Sequence, residues 1–315
     1  MAATESNRWT GLRVAVAGLG SMGLGMAATL VRAGATVTGF DPGEARRRAF
    51  SELGGDIATS AAAATAMADI VVSVVVNADQ TEALLFGPDG IASRMAEDGV
   101  FVSCATVAPA RARAMAQKLE ATGRHYLDAP ISGGAQRAAD GSLTVMASGS
   151  AAAFERASPV LDTLAGKVYR LGDTAGQGAA FKMVNQLLAG IHIAAAAEAI
   201  AFAANEGLDL KKVYEVITAS AGNSWMFENR VPHMIDGDYT PRSAVDIFVK
   251  DLGIVLDMGR ASAFPVPLSS AALQLFVMTS AAGMGRDDDA SVARLYARIA
   301  GLDLPGEPAT PTVRS

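Results

Sequence analysis

The pattern of apolar and polar positions divides the chain into two parts. From Leu12 to about Val168, apolar runs of strand length alternate with Ala-rich helical segments; these runs are LRVAVAGLG, TVTGFD, DIVVSVVV, GVFVSCAT, HYLDAP and LTVMASG. Continuous apolar runs separated by helices are typical of strands that are covered on both faces. They predict βαβ units and a largely parallel sheet.

After Leu171 the strand-like runs stop and the pattern is helical from residue 176 onward. Polar or Pro residues often mark the beginning of a helix. Four such beginnings are predicted near Asp209, Ala244, Pro267 and Asp287. The sequence therefore predicts an α/β domain followed by an all-α domain.

The boundary is predicted in the Gly- and Asp-containing segment RLGDTAGQG, where the sheet region gives way to a long helix. We expect a flexible N-terminal arm at 1–10, a first domain at 11–175 and an all-helical substrate and oligomerisation domain at 176–303. The segment 304–315 has three prolines and is expected to be a flexible tail.

Composition agrees with two domains and a small-molecule partner. A chain of 315 residues exceeds the usual size of one core. The net charge of -6 argues against a nucleic acid or an anionic membrane surface as the main partner. The single cysteine, Cys104, excludes an intrachain disulfide, and the N-terminus has no apolar core of signal-peptide length. A cytoplasmic location is therefore expected.

The longest apolar run, LLAGIHIAAAAEAIAFAA, approaches the length of a membrane span. His192 and Glu198 interrupt it, and its Ala and Gly content suits a helix packed closely between other helices. No membrane is expected as a partner.

A glycine-rich loop follows the first apolar run. In LRVAVAGLGSMGLGMAATLVRAG, Gly18, Gly20 and Gly23 stand in G-x-G-x-x-G register after a strand and before a helix. The first glycine permits a tight turn, the second lets the backbone approach a pyrophosphate, and the third allows close helix packing. The helix N-terminus attracts the anion. The loop residues expected to bind a dinucleotide are Gly18, Leu19, Gly20, Ser21, Met22 and Gly23.

An acidic residue ends the next strand. Asp41 lies 18 residues beyond Gly23, where a carboxylate accepts hydrogen bonds from an adenosine ribose and repels a 2′-phosphate. This favours NAD over NADP, although a turn acid before Pro42 is the alternative interpretation. Residues 46–48 are three arginines, interpreted as the solvated face of a helix, and they keep NADP open.

Lys182 is the best candidate for proton chemistry beside a nicotinamide. Only six of the 26 basic residues are lysines, and this one lies in the otherwise small and apolar stretch AGQGAAFKMVNQLLAG. A partly buried lysine exchanges its proton more readily than an arginine. Asn185, three residues on, shares its helix face. A surface lysine with a buried stem is the alternative.

The histidines and the cysteine indicate no metal or His–Asp chemistry. His125, His192 and His233 stand far apart, and none shows the setting of a His–Asp couple. Neither they nor Cys104 have zinc-like spacing, so no metal is expected.

Three further stretches carry candidate ligand contacts. LDAPISGG ends in Ser132, Gly133 and Gly134, a hydroxyl and backbone N–H groups that suit a carboxylate unless the loop is a plain turn. SAVDIFVKDLG places Lys250 beside Asp251, either as an exposed ion pair or as a cation near the site. AGNSWMFENR either lines a pocket or only packs a helix, and its candidate contacts are Asn223, Trp225 and Asn229.

Four motifs occur in the order typical of the β-hydroxyacid dehydrogenase family, which includes 3-hydroxyisobutyrate dehydrogenase: GLGSMG, DAPISGG, GQGAAFKMVNQ and VKDLG. The chain resembles that family from about residue 12 to 300. The resemblance implies a Rossmann-type, doubly wound NAD-binding domain before an all-helical domain, with a site in the cleft between them. It implies NAD as cofactor, a small hydroxy acid as substrate, and a homodimer or homotetramer.

The resemblance also implies roles for single residues. Lys182 would be the catalytic lysine, and Asn185 with the loop of Ser132, Gly133 and Gly134 would contact the substrate. The family's cofactor contacts correspond to Val76, Asn77, Thr106 and Lys250. The segment VSCATVAP departs from the family pattern, since Ser103 replaces a frequent Asp and Ala105 a Ser.

Three alternatives remain at this stage. Another 2- or 3-hydroxy acid would change only the pocket. An imine reductase would keep the dinucleotide motif but usually lacks the lysine and prefers NADP. A sensor that binds a dinucleotide without turnover would have no need of Lys182.

Overall fold

The computed structural model describes residues 8–307. By its internal contacts the chain divides into two compact units, the first ending at Lys182 and the second beginning at Met183. The division lies inside one long helix, α8 (Gln177–Asn205). The domain boundary predicted from the sequence lies close to the start of this helix.

The first unit is built on a six-stranded parallel sheet. Its strands are β1 (Val14–Ala17), β2 (Val37–Phe40), β3 (Asp56–Ile57), β4 (Ile70–Ser73), β5 (Val100–Ser103) and β6 (His125–Asp128). Their order is β3-β2-β1-β4-β5-β6, so the strand order reverses between β1 and β4. Ligands of doubly wound sheets bind outside the carboxyl ends of the strands at such a reversal. The predicted α/β class is confirmed.

Helices cover both faces of this sheet. They are α1 (Ser21–Arg32), α2 (Glu44–Glu52), α3 (Ala61–Ala64), α4 (Ala78–Phe86), α5 (Pro109–Glu120), α6 (Gly134–Asp140) and α7 (Ala151–Leu164). Val14 and Val16 of β1 pack into one apolar cluster, whereas Ala15 packs into another on the opposite face. Successive strand residues point to opposite faces, so the continuous apolar runs bury both sides of the sheet.

The run LTVMASG does form a strand, but not in the main sheet. β8 (Leu143–Ala147) lies between β7 (Ile131–Ser132) and β9 (Ala165–Arg170) in a separate three-stranded sheet. β7 runs antiparallel to β8 and β9 runs parallel to it. Placing LTVMASG in the largely parallel sheet was therefore wrong, because its neighbours β7 and β9 are too short or too polar to be recognised in the sequence.

α8 is the one helix in 8–307 that is long and apolar enough by composition to cross a membrane, and half of its most apolar window is buried inside the protein. Burial of this extent also fits a core helix. Ile193, Ala197 and Ile200 of α8 belong to the apolar core of the second unit.

The second unit is helical, as predicted. Its further helices are α9 (Leu210–Thr218), α10 (Trp225–Asp236), α11 (Val245–Ala261), α12 (Pro267–Thr279) and α13 (Val292–Ala300), with a 3₁₀ turn at Asp289–Ser291. Asp209 caps α9 by accepting hydrogen bonds from Lys211 N and Lys212 N. A polar cap of this kind satisfies the first N–H groups of a helix, which is why the start predicted near Asp209 is close to the observed one.

Both ends of the described chain are tied to a core. Trp9 is buried with the first apolar cluster, so the expected flexible arm does not extend through residue 9. Leu304 is buried in the second unit, and Glu307 pairs with Arg294 and Arg298 at 2.7 and 2.8 Å. The expected tail is therefore wrong for 304–307, because an apolar anchor and an ion-pair cluster hold this segment. The predictions for 1–7 and 308–315 lie outside the described residues.

Candidate active site

The glycine loop sits where backbone packing requires it. Gly18 follows β1 with φ +97°, and its N–H donates to Phe40 O at 2.8 Å. A Cβ at Gly18 would lie 2.6 Å from Val74 O, and one at Gly23 would lie 1.9 Å from Gly18 O. Neither position admits a side chain without moving backbone, so these two glycines fix the turn and the entry of α1.

The middle of the loop is open. Among the described residues, a Cβ at Gly20 would have one neighbouring atom within 4 Å, Arg46 Nη1 at 3.9 Å. Gly20 is the N-cap of α1, it provides no side-chain cap, and the first turn contains no acidic residue. Of the intervening residues, Leu19 is buried, Met22 half-buried and Ser21 exposed. An uncapped helix start behind an open glycine fits the pyrophosphate of a dinucleotide.

Asp41 holds the loop by its carboxylate. It is 3% exposed; Oδ2 accepts from Leu19 N at 2.9 Å and Oδ1 accepts from Gly43 N at 2.8 Å. Arg46 Nη1 lies 3.4 Å from Oδ2. The carboxylate therefore has a structural role in the turn, and it retains acceptor capacity for a ribose hydroxyl since two oxygens offer about four lone-pair sites.

The three arginines after Asp41 do not form one solvated face. Arg47 Nη1 donates to Asp41 O at 2.6 Å and to Pro42 O at 3.1 Å, whereas Arg48 pairs with Glu44 on the surface. Arg46 lies near the Asp41 carboxylate, so two of the three arginines, Arg46 and Arg47, contact the loop that precedes α2.

The loops after β4 and β5 lie at the same edge of the sheet. Val76 is exposed, and its N–H donates to Gln80 Oε1 at 2.8 Å. Asn77 is the N-cap of α4, and its Oδ1 accepts from Gln80 N at 2.8 Å. Thr106 follows β5 and is half-buried. The proposed cofactor contacts of the first unit thus follow the carboxyl ends of adjacent strands.

A buried thiol lies at the same edge. Cys104 follows β5, and burial, with the nearby Asp128 charge, raises its pKa to about 12. The thiol is therefore protonated at neutral pH and does not act as a nucleophile. In the described residues no group of three or more His, Cys, Asp or Glu side chains is placed to hold a metal.

Asp128, the last residue of β6, holds the first turn of α8. It is 1% exposed, and its Oδ2 accepts from Gly176 N at 2.8 Å, Ala179 N at 2.9 Å and Ser148 Oγ at 3.2 Å. Ser148 Oγ in turn accepts from Gly178 N at 2.9 Å. Burial raises the pKa of Asp128, and these hydrogen bonds oppose the rise. This cap was missed in the sequence, because DAP gives no signal of its distant partner.

Lys182 lies in the same helix, three residues after Ala179. It is 7% exposed, which is unusual for a lysine and argues against a surface lysine. Since residues three apart on a helix are neighbours, the Asp128 cap fixes the turn on which Lys182 stands.

The loop that is predicted to bind a carboxylate follows shortly after Asp128. Ser132 ends β7, and Gly133 and Gly134 have φ +136° and +74°. A Cβ at Gly133 would lie 2.7 Å from the Arg137 side chain. The motifs DAPISGG and GQGAAFK are thus brought together through Asp128, whose carboxylate binds the start of the helix that contains Lys182.

The second unit contains the other two predicted site residues, joined by a hydrogen-bonded chain. Asn185 Nδ2 donates to Gln186 Oε1 at 2.8 Å, and Gln186 Nε2 donates to Asp251 Oδ2 at 2.6 Å. Lys250 Nζ donates to Asp251 Oδ1 at 2.5 Å. Asp251 is 1% exposed, so of the two interpretations of this pair the exposed one is wrong: the carboxylate lies inside the helix packing.

Two of the histidines do form His–Asp pairs, contrary to the sequence expectation. His233 Nδ1 lies 2.9 Å from Asp288 Oδ1 in the buried part of the second unit, and His125 Nε2 lies 2.6 Å from Asp98 Oδ1. Although burial raises the pKa of Asp288, the hydrogen bonds from His233 and Arg242 N bring it below its ordinary value. The partners are 55 and 27 residues apart, so the sequence spacing did not reveal them.

The segment AGNSWMFENR is occupied by local contacts. Asn223 Nδ2 donates to Thr218 O at 3.2 Å and to Glu228 Oε1 at 2.5 Å, and Asn229 Oδ1 accepts from Arg230. Trp225 begins α10 and is half exposed. The asparagine side chains therefore serve the helix start, which favours packing as the role of this segment.

Two family models match the chain. The NAD binding domain of 6-phosphogluconate dehydrogenase matches residues 13–172, and the model described as NAD-binding of NADP-dependent 3-hydroxyisobutyrate dehydrogenase matches residues 176–296. Together they cover both units.

Relatives match along almost the whole chain. The L-threonate dehydrogenase of Cupriavidus necator is 52% identical over 93% of this chain and 98% of its own. The L-threonate dehydrogenase of Escherichia coli K12 is 48% identical over 93% of this chain and 96% of its own.

A solved structure from Salmonella typhimurium, described as 3-hydroxyisobutyrate dehydrogenase, is 49% identical with a TM-score of 0.86 and covers 90% of this chain and 99% of its own. The resemblance seen in the motifs is confirmed by these matches. The chain therefore belongs to the β-hydroxyacid dehydrogenase family that includes 3-hydroxyisobutyrate dehydrogenase, and it is an NAD-dependent hydroxyacid dehydrogenase.

Proposed function

We propose that this enzyme oxidises the C2 hydroxyl of L-threonate and yields the corresponding 2-oxo acid, 2-oxo-tetronate. The observation that carries the proposal is that five relatives at 47–52% identity, each matched over at least 93% of this chain, are L-threonate dehydrogenases. A polyhydroxy acid also suits a site whose predicted residues offer a hydroxyl, an amide and an amine.

Lys182 is the proposed general base. Its neutral Nζ takes the proton of the C2 hydroxyl, and the same amine in its protonated form returns the proton when the oxo acid is reduced. NAD, when bound, accepts the hydride from C2. The burial of Lys182 and the fixed first turn of α8 support this role, because a general base must be held within hydrogen-bond reach of the proton it removes.

The substrate is proposed to be held at its carboxylate and at a hydroxyl. The Ser132 hydroxyl and the N–H groups of Gly133 and Gly134 bind the carboxylate, and Asn185 contacts a substrate hydroxyl. Asn185 stands three residues after Lys182 on α8, so one helix face presents both groups.

The proposed cofactor residues belong to two sets. The glycine loop holds the pyrophosphate and Asp41 the adenosine ribose. The remaining contacts are Val76, Asn77, Thr106 and Lys250. The open backbone at Gly20 supports this assignment, since a side chain there would stand between the helix start and an anion.

The test is NADH formation with L-threonate, D-threonate, 3-hydroxyisobutyrate and glycerate, offered to the wild type, to Lys182→Met and to the control Lys211→Met. Lys211 is an exposed lysine in α9. Loss of general base catalysis at Lys182 should lower kcat/KM for L-threonate by about 10²–10⁴-fold, with NADH still bound, and the control should match the wild type.

Other outcomes separate the alternatives. Turnover confined to 3-hydroxyisobutyrate would replace the substrate and keep the mechanism; the name given to the Salmonella typhimurium structure is the observation that favours this second candidate. An unchanged Lys182→Met rate would remove the lysine from the mechanism. Binding of NADH without turnover of any acid would indicate a dinucleotide sensor.

We also propose that the enzyme is a homodimer or homotetramer. Val184, Leu188 and Phe202 are exposed apolar residues of α8, and Val184 and Phe202 are separated by about five helical turns, which places them on one face. An exposed apolar stripe of this kind commonly marks an interface. Light scattering of the wild type and of Phe202→Lys tests it, since a monomer in the wild type contradicts the proposal.

A further inference from the structure

We propose that Asp251, acting through Gln186, fixes the orientation of the Asn185 amide. The amide oxygen Oδ1 then accepts a hydrogen bond from the substrate hydroxyl on the carbon next to the one that is oxidised. The inference rests on the proposed function, in which Asn185 contacts the substrate. It makes Gln186 and Asp251 positioning residues that select polyhydroxy acids.

The first step is set by the charge of Asp251. Its Oδ1 accepts from the Lys250 ammonium at 2.5 Å, and its Oδ2 accepts from Gln186 Nε2 at 2.6 Å. An ionised carboxylate only accepts hydrogen bonds, so the NH₂ end of the Gln186 amide has to face it. With Asp251 1% exposed and Gln186 6% exposed, little water can substitute for a wrongly turned amide.

The second step passes this polarity to Asn185. Once Nε2 faces Asp251, Gln186 turns Oε1 to the other side, where it accepts from Asn185 Nδ2 at 2.8 Å. A reversed Asn185 amide would place two acceptor oxygens against each other, which is unfavourable. The buried carboxylate therefore determines which end of the Asn185 amide is turned toward Gln186.

The third step concerns the substrate. With Nδ2 engaged by Gln186, Oδ1 is at the opposite end of the Asn185 amide and accepts a hydrogen bond. A substrate hydroxyl beside the reacting carbon can donate to it, whereas a methylene at that place cannot. Sites that hydrogen-bond a substrate hydroxyl discriminate strongly against the analogue without it, because the protein group is then left unpaired.

The test compares L-threonate with 2,4-dihydroxybutanoate of the same C2 configuration, which lacks only the C3 hydroxyl, in the wild type, Gln186→Met, Asn185→Ala and the double variant. Gln186→Met keeps the length of the side chain and leaves the Lys250–Asp251 pair in place. The matched control is Gln274→Met, at an exposed position of α12.

We expect Gln186→Met to lower kcat/KM for L-threonate about tenfold, the value of one lost hydrogen bond, and to leave kcat/KM for 2,4-dihydroxybutanoate within about twofold. In the Asn185→Ala background the same change should have no further effect, because Gln186 acts through Asn185. The NADH dissociation constant, measured by fluorescence, should stay within about twofold of the wild type.

Two results would overturn the inference alone while L-threonate remains a substrate of the wild type. One is an equal loss for both acids, which a general packing defect would produce. The other is a full Gln186→Met effect in the Asn185→Ala background. If the wild type oxidises 2,4-dihydroxybutanoate or another acid but not L-threonate, the proposed substrate fails as well, and with it the selection of a C3 hydroxyl.

Discussion

The buried carboxylates of the two units are used differently. In the first unit, Asp41 and Asp128 accept hydrogen bonds mainly from backbone N–H groups of loops and a helix start. In the second unit, Asp251 and Asp289 are paired with side chains, Asp251 with an ammonium and an amide and Asp289 with a guanidinium. Asp288 combines both modes, since it binds an imidazole and accepts from two backbone N–H groups.

The difference teaches what a buried carboxylate does in each unit. A carboxylate that binds backbone fixes the path of the chain, which the glycine loop and the start of α8 both require. A carboxylate that binds a side chain fixes where one polar group points. Removing such a carboxylate therefore destabilises the two units for different reasons. It leaves unsatisfied N–H groups in the first unit and an unpaired cation in the second.

The largest effect is expected for Asp289→Ala in the second unit. Arg230 Nε lies 2.5 Å and Nη2 3.1 Å from the Asp289 oxygens, and both side chains are largely buried. The variant leaves a buried guanidinium without its partner and should lower the free energy of unfolding by about 3–5 kcal/mol, measured by urea denaturation.

The control for this prediction is Asp257→Ala, which breaks the Arg260 pair on the surface of α11. Exposed pairs contribute about 0–1 kcal/mol, so the urea midpoint should barely move. Equal losses of unfolding free energy in both variants would mean that the buried pair contributes no more to stability than the exposed pair.

A somewhat smaller effect is expected for Asp128→Ala in the first unit. It removes the acceptor of Gly176 N and Ala179 N, and at about 1–2 kcal/mol for each buried unsatisfied donor the free energy of unfolding should fall by about 2–4 kcal/mol. Asp128→Asn keeps one oxygen acceptor and should lose less. If Asn were as harmful as Ala, the charge of Asp128 rather than its hydrogen bonds would hold the turn.

A smaller effect should appear in the pH dependence of stability. The pKa of Asp288 is below its ordinary value in the folded protein because, although burial raises it, the hydrogen bonds of His233 and Arg242 N lower it further. Its contribution is thus present above the pKa of an unfolded aspartate and is lost as the pH falls through the lower folded pKa. Asp288→Asn should flatten the acid side of a plot of unfolding free energy against pH; an unchanged slope would contradict this.

Much of the fold followed from the sequence because its signals are local. The apolar runs, the glycine register and Asp209 as a helix cap each act within a few residues, and the structure places strands and helices there. β7 and β9 were missed because a two-residue strand and a polar strand have no such pattern.

The contacts of the candidate site were less predictable. Lys182 and Asn185 could be singled out by their unusual surroundings in an apolar helix. Their supports could not, since Asp128 binds a turn 48 residues away and Gln186 binds Asp251 across 65 residues. Pairings at such distances depend on tertiary packing, and the sequence spacing contains no trace of them.

A comparison of two motif glycines, Gly178 in the first unit and Gly253 in the second, includes the smallest change in stability that we predict. A Cβ at Gly178 would lie 2.3 Å from Met146 O, whereas a Cβ at Gly253, inside α11, would have no atom of the described residues within 4 Å. Gly253→Ala should therefore raise the free energy of unfolding by about 0.5–1 kcal/mol through helix propensity, while Gly178→Ala should lower it. Urea midpoints measure both. A loss of stability in Gly253→Ala would show that a neighbouring surface fills this space in the native protein, and that the glycine is kept for close approach, as in the first unit.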